Sequence, residues 1–214
     1  RWPLLDPEGI VGGAWVPGDG QASPVDTTMA LAAVAKERGA RIFEGVSVER
    51  IRTEGGRAIG VETDQGPMDA EHVVTAAGMW SHQLGRDVGV NIPLHACEHF
   101  YLVTEPIEGL PASLPVLRDQ DRCIYVKTEA GRLMVGAFEP VAKPYGVGGL
   151  PTDQPFLQLE EDWEHLAPIY EAACERIPIL ADVGIRLFFN GPESFTPDDR
   201  YLLGETPELR NHWV

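Results

Sequence analysis

The chain has 214 residues, 43% of them hydrophobic and 23% charged. That is a globular composition, long enough to bury a core without disulfide or metal staples, and it excludes global disorder. With 17 Lys and Arg against 33 Asp and Glu the net charge is −16, which argues against nucleic acid and anionic membrane as general partners, because phosphate binding needs clustered basic residues.

Cysteine usage and the termini add two expectations. Cys97, Cys123 and Cys174 are odd in number and form no CxxC, so a reducing compartment is expected and a disulfide framework is not. No apolar stretch reaches the ~18 residues that span a bilayer. The chain starts at Arg1 without Met, and His212-Trp213-Val214 reads as the beginning of a strand. Both ends read as cuts within a longer protein.

The predicted elements follow in order. Gly12-Gly13-Ala14-Trp15-Val16 is strand-like and closed by Pro17. Ser23 is an N-cap, with Pro24 at the first helical position and Asp26 in the first turn. Val25, Met29, Ala32 and Ala33 recur at helical spacing to Lys36, and Gly39 ends the helix. Its alanine-rich face is expected to pack closely on a sheet. Strands are expected at 41–43, at 46–52 by alternation, at 58–63 after the turn Glu54-Gly55-Gly56-Arg57, and at 68–72. An apolar run, His72 to Gly78, ends in small residues before a short helix from Trp80 to Val88. Strands are then expected at 94–104, 114–118, 123–127 and 132–138, with the antiparallel character of closely spaced turns. A Gly- and Pro-rich loop covers 140–155. A helix at 159–177 puts Trp163, Leu166, Ile169, Tyr170, Ala173 and Ile177 on one face, and Pro178 stops it. A strand at 185–190 leads into turn chemistry through Thr196-Pro197-Asp198-Asp199.

Four places carry chemistry. Val73 to Gly78 is a buried strand running into Ala76-Ala77-Gly78, which lets another group approach the backbone, a nucleotide's sugar or phosphate for example; it also reads as a tight strand-to-helix turn. His95, Cys97, His99 and Tyr101 alternate along one strand. They could ligate a transition metal, line a substrate pocket, or form an ordinary polar sheet face. Arg118, with Tyr125 and Lys127 on the next strand, could hold a carboxylate by charge-assisted hydrogen bonds; Arg118 could equally pair with Asp119 or Asp121 at the surface. The turn-dense segment 190–199 reads as a binding loop or a plain connection. No GxGxxG follows a strand, and GxxxxGK[ST], GxSxG and HExxH are absent.

Taken together, Gly12-Gly13-Ala14 through Ser23-Pro24, Val73 to Trp80, His99 to Thr104, Leu114 to Asp119, and Asn190-Gly191-Pro192 through Arg210 to Val214 resemble the FAD-dependent amine oxidoreductases of the D-amino-acid oxidase superfamily. Within it the likeness is to sarcosine and dimethylglycine dehydrogenases and oxidases. The resemblance implies an α+β fold: part of an FAD-binding α/β domain (1–90, with a return segment at 190–214) interleaved with an antiparallel substrate-binding layer carrying a long helix (91–189). It implies FAD as cofactor, with the Rossmann fingerprint expected ahead of Arg1 and a final Gly-rich segment beyond Val214. The fragment alone is therefore expected to hold FAD weakly and to be inactive.

The implied reaction is oxidation of the C–N bond of a small N-methylated amino acid. Tyr101 is expected to face the substrate, with His99 a second catalytic candidate. Arg118, Tyr125 and Lys127 are candidates for the substrate carboxylate, on charge logic. Val48 and Ala76, Ala77 and Gly78 are expected along the adenosine part of FAD, with Trp80 packed nearby. No metal is expected. The partners implied for the full-length protein are a small amino acid and an electron-transfer flavoprotein or folate, in the cytoplasm or the mitochondrial matrix. Rival readings are a glycine or D-amino-acid oxidase, a free-standing amino-acid-binding domain without flavin, and a metal-binding protein.

Overall fold

The computed structural model describes residues 2–154 and 156–214. Arg1, and Pro155 at the expected end of the Gly- and Pro-rich loop, lie outside them. The elements are α1 (Pro24–Glu37), β1 (Val48–Glu54), β2 (Arg57–Thr63), β3 (Gly66–Asp69), β4 (Val73–Val74), α2 (Ser81–Arg86), β5 (His95–Thr104), β6 (Leu117–Asp119), β7 (Ile124–Glu129), β8 (Arg132–Ala137), α3 (Trp163–Arg176), β9 (Ile185–Phe195) and β10 (His212–Trp213). This is an α+β fold in which strands outnumber helices. The chain divides into two compact units: residues 2–27, Glu98–Ala142 and Phe156–Gly191 form one, and Thr28–Cys97, residues 143–154 and Pro192–Val214 form the other.

The first unit is built on a five-stranded sheet in the order β6-β7-β8-β5-β9. Strands β6, β7, β8 and β5 pair antiparallel. Alternation puts Phe100, Leu102, Ile124, Val126, Leu133, Val135 and Phe188 in the core, where α3 covers them with Leu166, Ile169 and Ala173. Asp162 caps α3, its carboxylate accepting from His165 N at 3.0 Å. Arg176, 6% exposed, ends the helix. Its guanidinium donates to Asp119 at 2.8 Å and to the carbonyls of Asp6 and Glu8 at 2.6 and 3.0 Å. One buried cation thus ties the N-terminal segment and β6 to α3.

The second unit holds two small sheets. β1, β2 and β3 form an antiparallel meander, and β4 pairs in parallel with β10. Gly55 and Gly56, both at positive φ, close the β1–β2 hairpin. Ile51, Ala58, Val73, Val90, Ile92 and Leu209 form its core.

Several expectations need correction. Residues 41–43 and 12–16 form no strand; Ile42 and Phe43 are 42% and 48% exposed, with no neighbouring strand to pair with. α1 forms as expected, Ser23 Oγ accepting from Asp26 N at 3.3 Å, but it buries none of its residues. The close sheet contact expected of its alanine face is not found among the described residues. β9 runs on through Gly191-Pro192 to Phe195, five residues past its expected end. An edge strand tolerates Pro, because its missing N–H costs no ladder bond on the open side.

Candidate functional site

Each unit carries a candidate site. In the first unit, register builds a row across the larger sheet. Arg118 on β6 is opposite Tyr125 on β7, Tyr125 is opposite Gly136 on β8, and Gly136 is opposite Tyr101 on β5. Residues in register share a face, so the row lies on the side of the sheet away from α3. His99, Lys127 and Phe138 fall on this same face by period two.

Gly136 makes the row possible. A Cβ added there would lie 1.9 Å from Tyr125 Cζ, so the tyrosine ring lies across β8 where any other residue would block it. Phe138 stands beside it, with ring centroids 5.3 Å apart, and the Arg118 guanidinium stacks 4.0 Å above the Phe138 ring. Tyr101 stacks on Phe189 of β9 at 4.9 Å and 18°. Burial, and secondarily the charge of Glu129, pushes the Tyr101 phenol up from its ordinary value, so it stays protonated and able to donate a hydrogen bond near neutral pH.

Arg118 is exposed, and among the described residues no carboxylate lies within ion-pair distance of it. The surface pair with Asp119 is not formed: Asp119 binds Arg176 and Arg122 instead. Lys127 pairs with Glu129 at 3.5 Å, so its charge is partly answered within the sheet. His99 Nδ1 lies 2.9 Å from the buried carboxylate of Glu139, a residue that sequence reasoning left unremarked. All five residues expected at the substrate, Tyr101, His99, Arg118, Tyr125 and Lys127, thus share one sheet face.

The second site is a cleft of about 870 Å³ within the second unit. Val74 to Ala76 and Gly78 line it from the C-terminal end of β4, Trp213 and Val214 from the end of β10, Glu193 to Phe195 from the end of β9, and Thr196 and Asp199–Gly204 from the loop that follows β9. Ligands of open α/β sheets bind outside the carboxyl ends of parallel strands, which is where this cleft lies. Its rim leaves large apolar groups uncovered: Val74, Tyr201 and Leu203 are 67%, 86% and 85% exposed. Such exposed apolar groups around a concavity mark a ligand groove.

Of the residues expected near a nucleotide, Ala76 and Gly78 line the cleft. Gly78 turns the chain at φ +55°, and a Cβ there would meet nothing within 4 Å. Ala77 lies between them, its N–H donating to Ser81 Oγ at 3.1 Å. Trp80 donates its indole N–H to Pro151 O at 2.7 Å. Val48, 43% exposed on β1, is not among the lining residues. The segment expected as turn-dense at 190–199 is strand as far as Phe195 and loop beyond it, and Glu193–Thr196 and Asp199 supply one wall.

His212, missed by sequence reasoning, holds the parallel pair together. It is fully buried. Nε2 lies 2.8 Å from Thr75 Oγ1 and Nδ1 lies 3.1 Å from Thr206 Oγ1. Thr206 spends its hydroxyl proton on Leu209 O at 3.1 Å, so it accepts from Nδ1–H, and Nε2 accepts from Thr75. Burial lowers the pKa of this imidazole, a nearby Glu208 acting less strongly in the other direction. Neither alternation nor a motif marks it, since a two-residue strand leaves no pattern.

Among the described residues no group of three or more His, Cys, Asp or Glu is placed to hold a metal ion. No helix among them is long and apolar enough to cross a membrane.

One unit thus offers a cleft at the carboxyl ends of parallel strands, and the other an antiparallel sheet with an aromatic and cationic face. The DAO family, FAD dependent oxidoreductase, matches residues 1–214, and the chain belongs to it. It is 42% identical over 213 residues to 4-methylaminobutanoate oxidase (formaldehyde-forming) of Paenarthrobacter nicotinovorans, covering 100% of this chain and 26% of that protein. Over 218 residues it is 38% identical to mitochondrial sarcosine dehydrogenase of Homo sapiens, covering 100% and 23%. Over 216 residues it is 37% identical to the mitochondrial pyruvate dehydrogenase phosphatase regulatory subunit of Mus musculus, covering 99% and 24%. The crystal structure of L-proline dehydrogenase from P.horikoshii superposes with a TM-score of 0.83 at 25% identity, covering 99% of this chain and 54% of that one. The chain spans about a quarter of the length of the curated relatives it matches.

Proposed function

We propose that this chain is the central part of a flavoenzyme that oxidises the C–N bond of a small N-methylated amino acid, of the sarcosine or dimethylglycine type. The row Arg118–Tyr125–Gly136–Tyr101 carries the reading. It offers a cation for a carboxylate at one end and a phenol at the other, walled by Phe138 and Phe189. In a chain of net charge −16, an arginine with no carboxylate partner among the described residues suits an anionic ligand. Tyr125 and Lys127 support the same carboxylate.

The second unit is read as the flavin part. Small residues at Ala76 and Gly78, an apolar rim and a backbone open to the cleft fit FAD. The lining has one arginine, Arg200, against Glu193 and Asp199, which suits the cofactor's base, sugar or ring system better than its pyrophosphate. Ala76 to Gly78 would hold it, with Trp80 fixing the turn. When bound, FAD accepts the hydride equivalent leaving the carbon next to nitrogen.

The chain's own residues do the remainder. The carboxylate is held by Arg118. Tyr101 and His99 act at the amine, which must lose its proton before it can be oxidised. The resulting iminium takes up water and releases formaldehyde and the demethylated amine. In the whole protein the one-carbon unit could instead pass to folate, and the electrons to oxygen or an electron-transfer flavoprotein.

The test is product analysis with the full-length protein and an artificial electron acceptor. Sarcosine or dimethylglycine is expected to yield formaldehyde. Ammonia and a 2-oxo acid from glycine or D-alanine would favour a glycine or D-amino-acid oxidase. A regulatory protein is the second reading, favoured by the 37% identity to a regulatory subunit; it predicts no turnover of any of these amines.

A further inference from the structure

We propose that Glu139 is the positioning residue of His99: its buried carboxylate fixes the imidazole in the Nδ1–H form and leaves Nε2 as the nitrogen that takes a proton. The inference rests on the amine-oxidation reading above and assigns a role within it.

Glu139 lies two residues past the end of β8 and its side chain is 5% exposed. Both carboxylate oxygens are used. Oε1 accepts from Phe100 N at 3.1 Å, and Oε2 lies 2.9 Å from His99 Nδ1. A carboxylate only accepts, so Nδ1 carries the hydrogen, and the lone pair of the neutral ring is on Nε2. The Phe100 contact ties the carboxylate to the strand that bears His99, so acceptor and ring form one rigid piece. Phe100 itself is fully buried on the opposite face. It packs edge-on against Phe188 and His165, with centroids 5.7 and 5.1 Å away. Phe138, the residue two before Pro140, walls the His99 ring at 6.3 Å.

The proton step balances within the site. The substrate ammonium N–H bond breaks, its electron pair stays on nitrogen, and the proton forms an Nε2–H bond on His99. The imidazolium so formed is already hydrogen-bonded to Glu139, and an opposite charge in contact favours the protonated ring. The other titratable groups on this face within the first unit are Tyr101 of β5, Arg118 of β6, Tyr125, Lys127 and Glu129 of β7 and Arg132 of β8, Lys127 being paired with Glu129, while Phe189 beside Tyr101 is uncharged. Arg118 opposes a positive ring, but it is stacked on Phe138, whereas Glu139 touches the imidazole.

Glu139→Gln, His99→Gln and the double variant in the full-length flavoprotein test this. Anaerobic flavin reduction by sarcosine is followed against pH, and the ring-nitrogen NMR signals of His99 are assigned by their loss in His99→Gln. In Glu139→Gln the acid limb of the reduction rate is expected to move to lower pH by about 1 unit. Its plateau is expected to fall ~10-fold, with little change in substrate affinity. On the His99→Gln background Glu139→Gln is expected to add less than ~2-fold, as for residues acting as one unit. An unchanged acid limb in Glu139→Gln, or a full ~10-fold loss repeated on His99→Gln, would overturn the role. Should Glu139→Gln fail to fold, the wild-type NMR spectrum decides alone: an Nδ1–H ring supports the proposal and an Nε2–H ring overturns it. Absence of reduction by any amine in the wild type removes the oxidation reading and the proton-accepting role with it. The NMR spectrum then still reports whether Glu139 fixes the ring.

Discussion

Arg118 stands at one end of the row across the larger sheet, stacked on the face of Phe138. Charge-assisted hydrogen bonds from a guanidinium are worth about 1.5–3 kcal/mol. Arg118→Ala is therefore expected to raise KM for an amino acid substrate by roughly 10- to 100-fold with kcat nearly unchanged, and Arg118→Lys to recover part of it. Steady-state kinetics check this; an unaltered KM would remove Arg118 from the site. Gly136→Ala is expected to push Tyr125 off β8, because the new methyl would overlap the ring. Overpacking of this kind costs about 1–3 kcal/mol, and a lower kcat/KM than Arg118→Ala gives at low substrate would place the Tyr125 ring near the reacting end. His99 with Tyr101, and Tyr125 with Lys127, were legible as neighbours on a face because strands alternate with period two; that these two pairs and Arg118 share one face follows only from the register across β6, β7, β8 and β5. Glu139 was not. It lies past the end of β8, and its significance comes from a contact with a residue 40 positions away.

At the scale of elements, one polar group in each unit ties its segments together, Arg176 in the first and His212 in the second. Removing Arg176 would leave the half-buried Asp119 with Arg122 as its remaining cation and break the tie to Asp6 and Glu8. Loss of one partner from a buried pair costs about 3–5 kcal/mol, so Arg176→Ala is expected to lower the urea midpoint sharply, and a shift of a few tenths of a molar or less would contradict it. His212 gives the second unit a pH dependence. Its pKa is lowered by burial, so below about 6.5, the ordinary value, the unfolded chain binds a proton that the folded chain refuses. This contribution to stability is complete above that pH and is lost as pH falls below it. Urea unfolding of wild type and His212→Gln between neutral and mildly acidic pH checks the sign: the wild type should lose more stability on acidification.

The same scale shows where sequence patterns ran out. The hairpin at Gly55-Gly56, the strands β5, β7 and β8, and the apolar face and Pro178 stop of α3 were legible, because local chemistry and tertiary packing agree there; the start of α3 was not, since Asp162 caps it and its first residue, Trp163, comes four residues after the expected beginning at Leu159. β9 was read too short, since Gly191-Pro192 is turn chemistry everywhere except on a sheet edge. Residues 41–43 were read as a strand on composition, but a strand needs a neighbour. α1 has every local helix signal and no buried residue, so its face could not be read from its own sequence.

The whole molecule joins two kinds of site. One unit presents an aromatic and cationic sheet face, and the other a cleft at the carboxyl ends of β4 and β10. Ala76 and Gly78 were legible as cleft residues because a buried strand ending in small residues leaves its backbone approachable. The wall formed by Asp199–Gly204 was less so, since it is made of exposed apolar residues whose positions only the fold defines. The −16 charge adds a general expectation: a zwitterionic amino acid carries no net charge for the field to repel, so salt screening should change its capture little. Stopped-flow reduction rates at subsaturating substrate should vary little with ionic strength, and a strong fall would mean that local attraction at Arg118 dominates capture.

The central claim is that a flavin in this protein takes its electrons from N-methylated amino acids. Anaerobic addition of sarcosine or dimethylglycine to the full-length oxidised flavoprotein tests it most directly, read as bleaching of the flavin absorbance. Bleaching by either compound and not by D-alanine is the predicted result. Bleaching by D-alanine or glycine alone, or a full-length protein that carries no flavin, would contradict it.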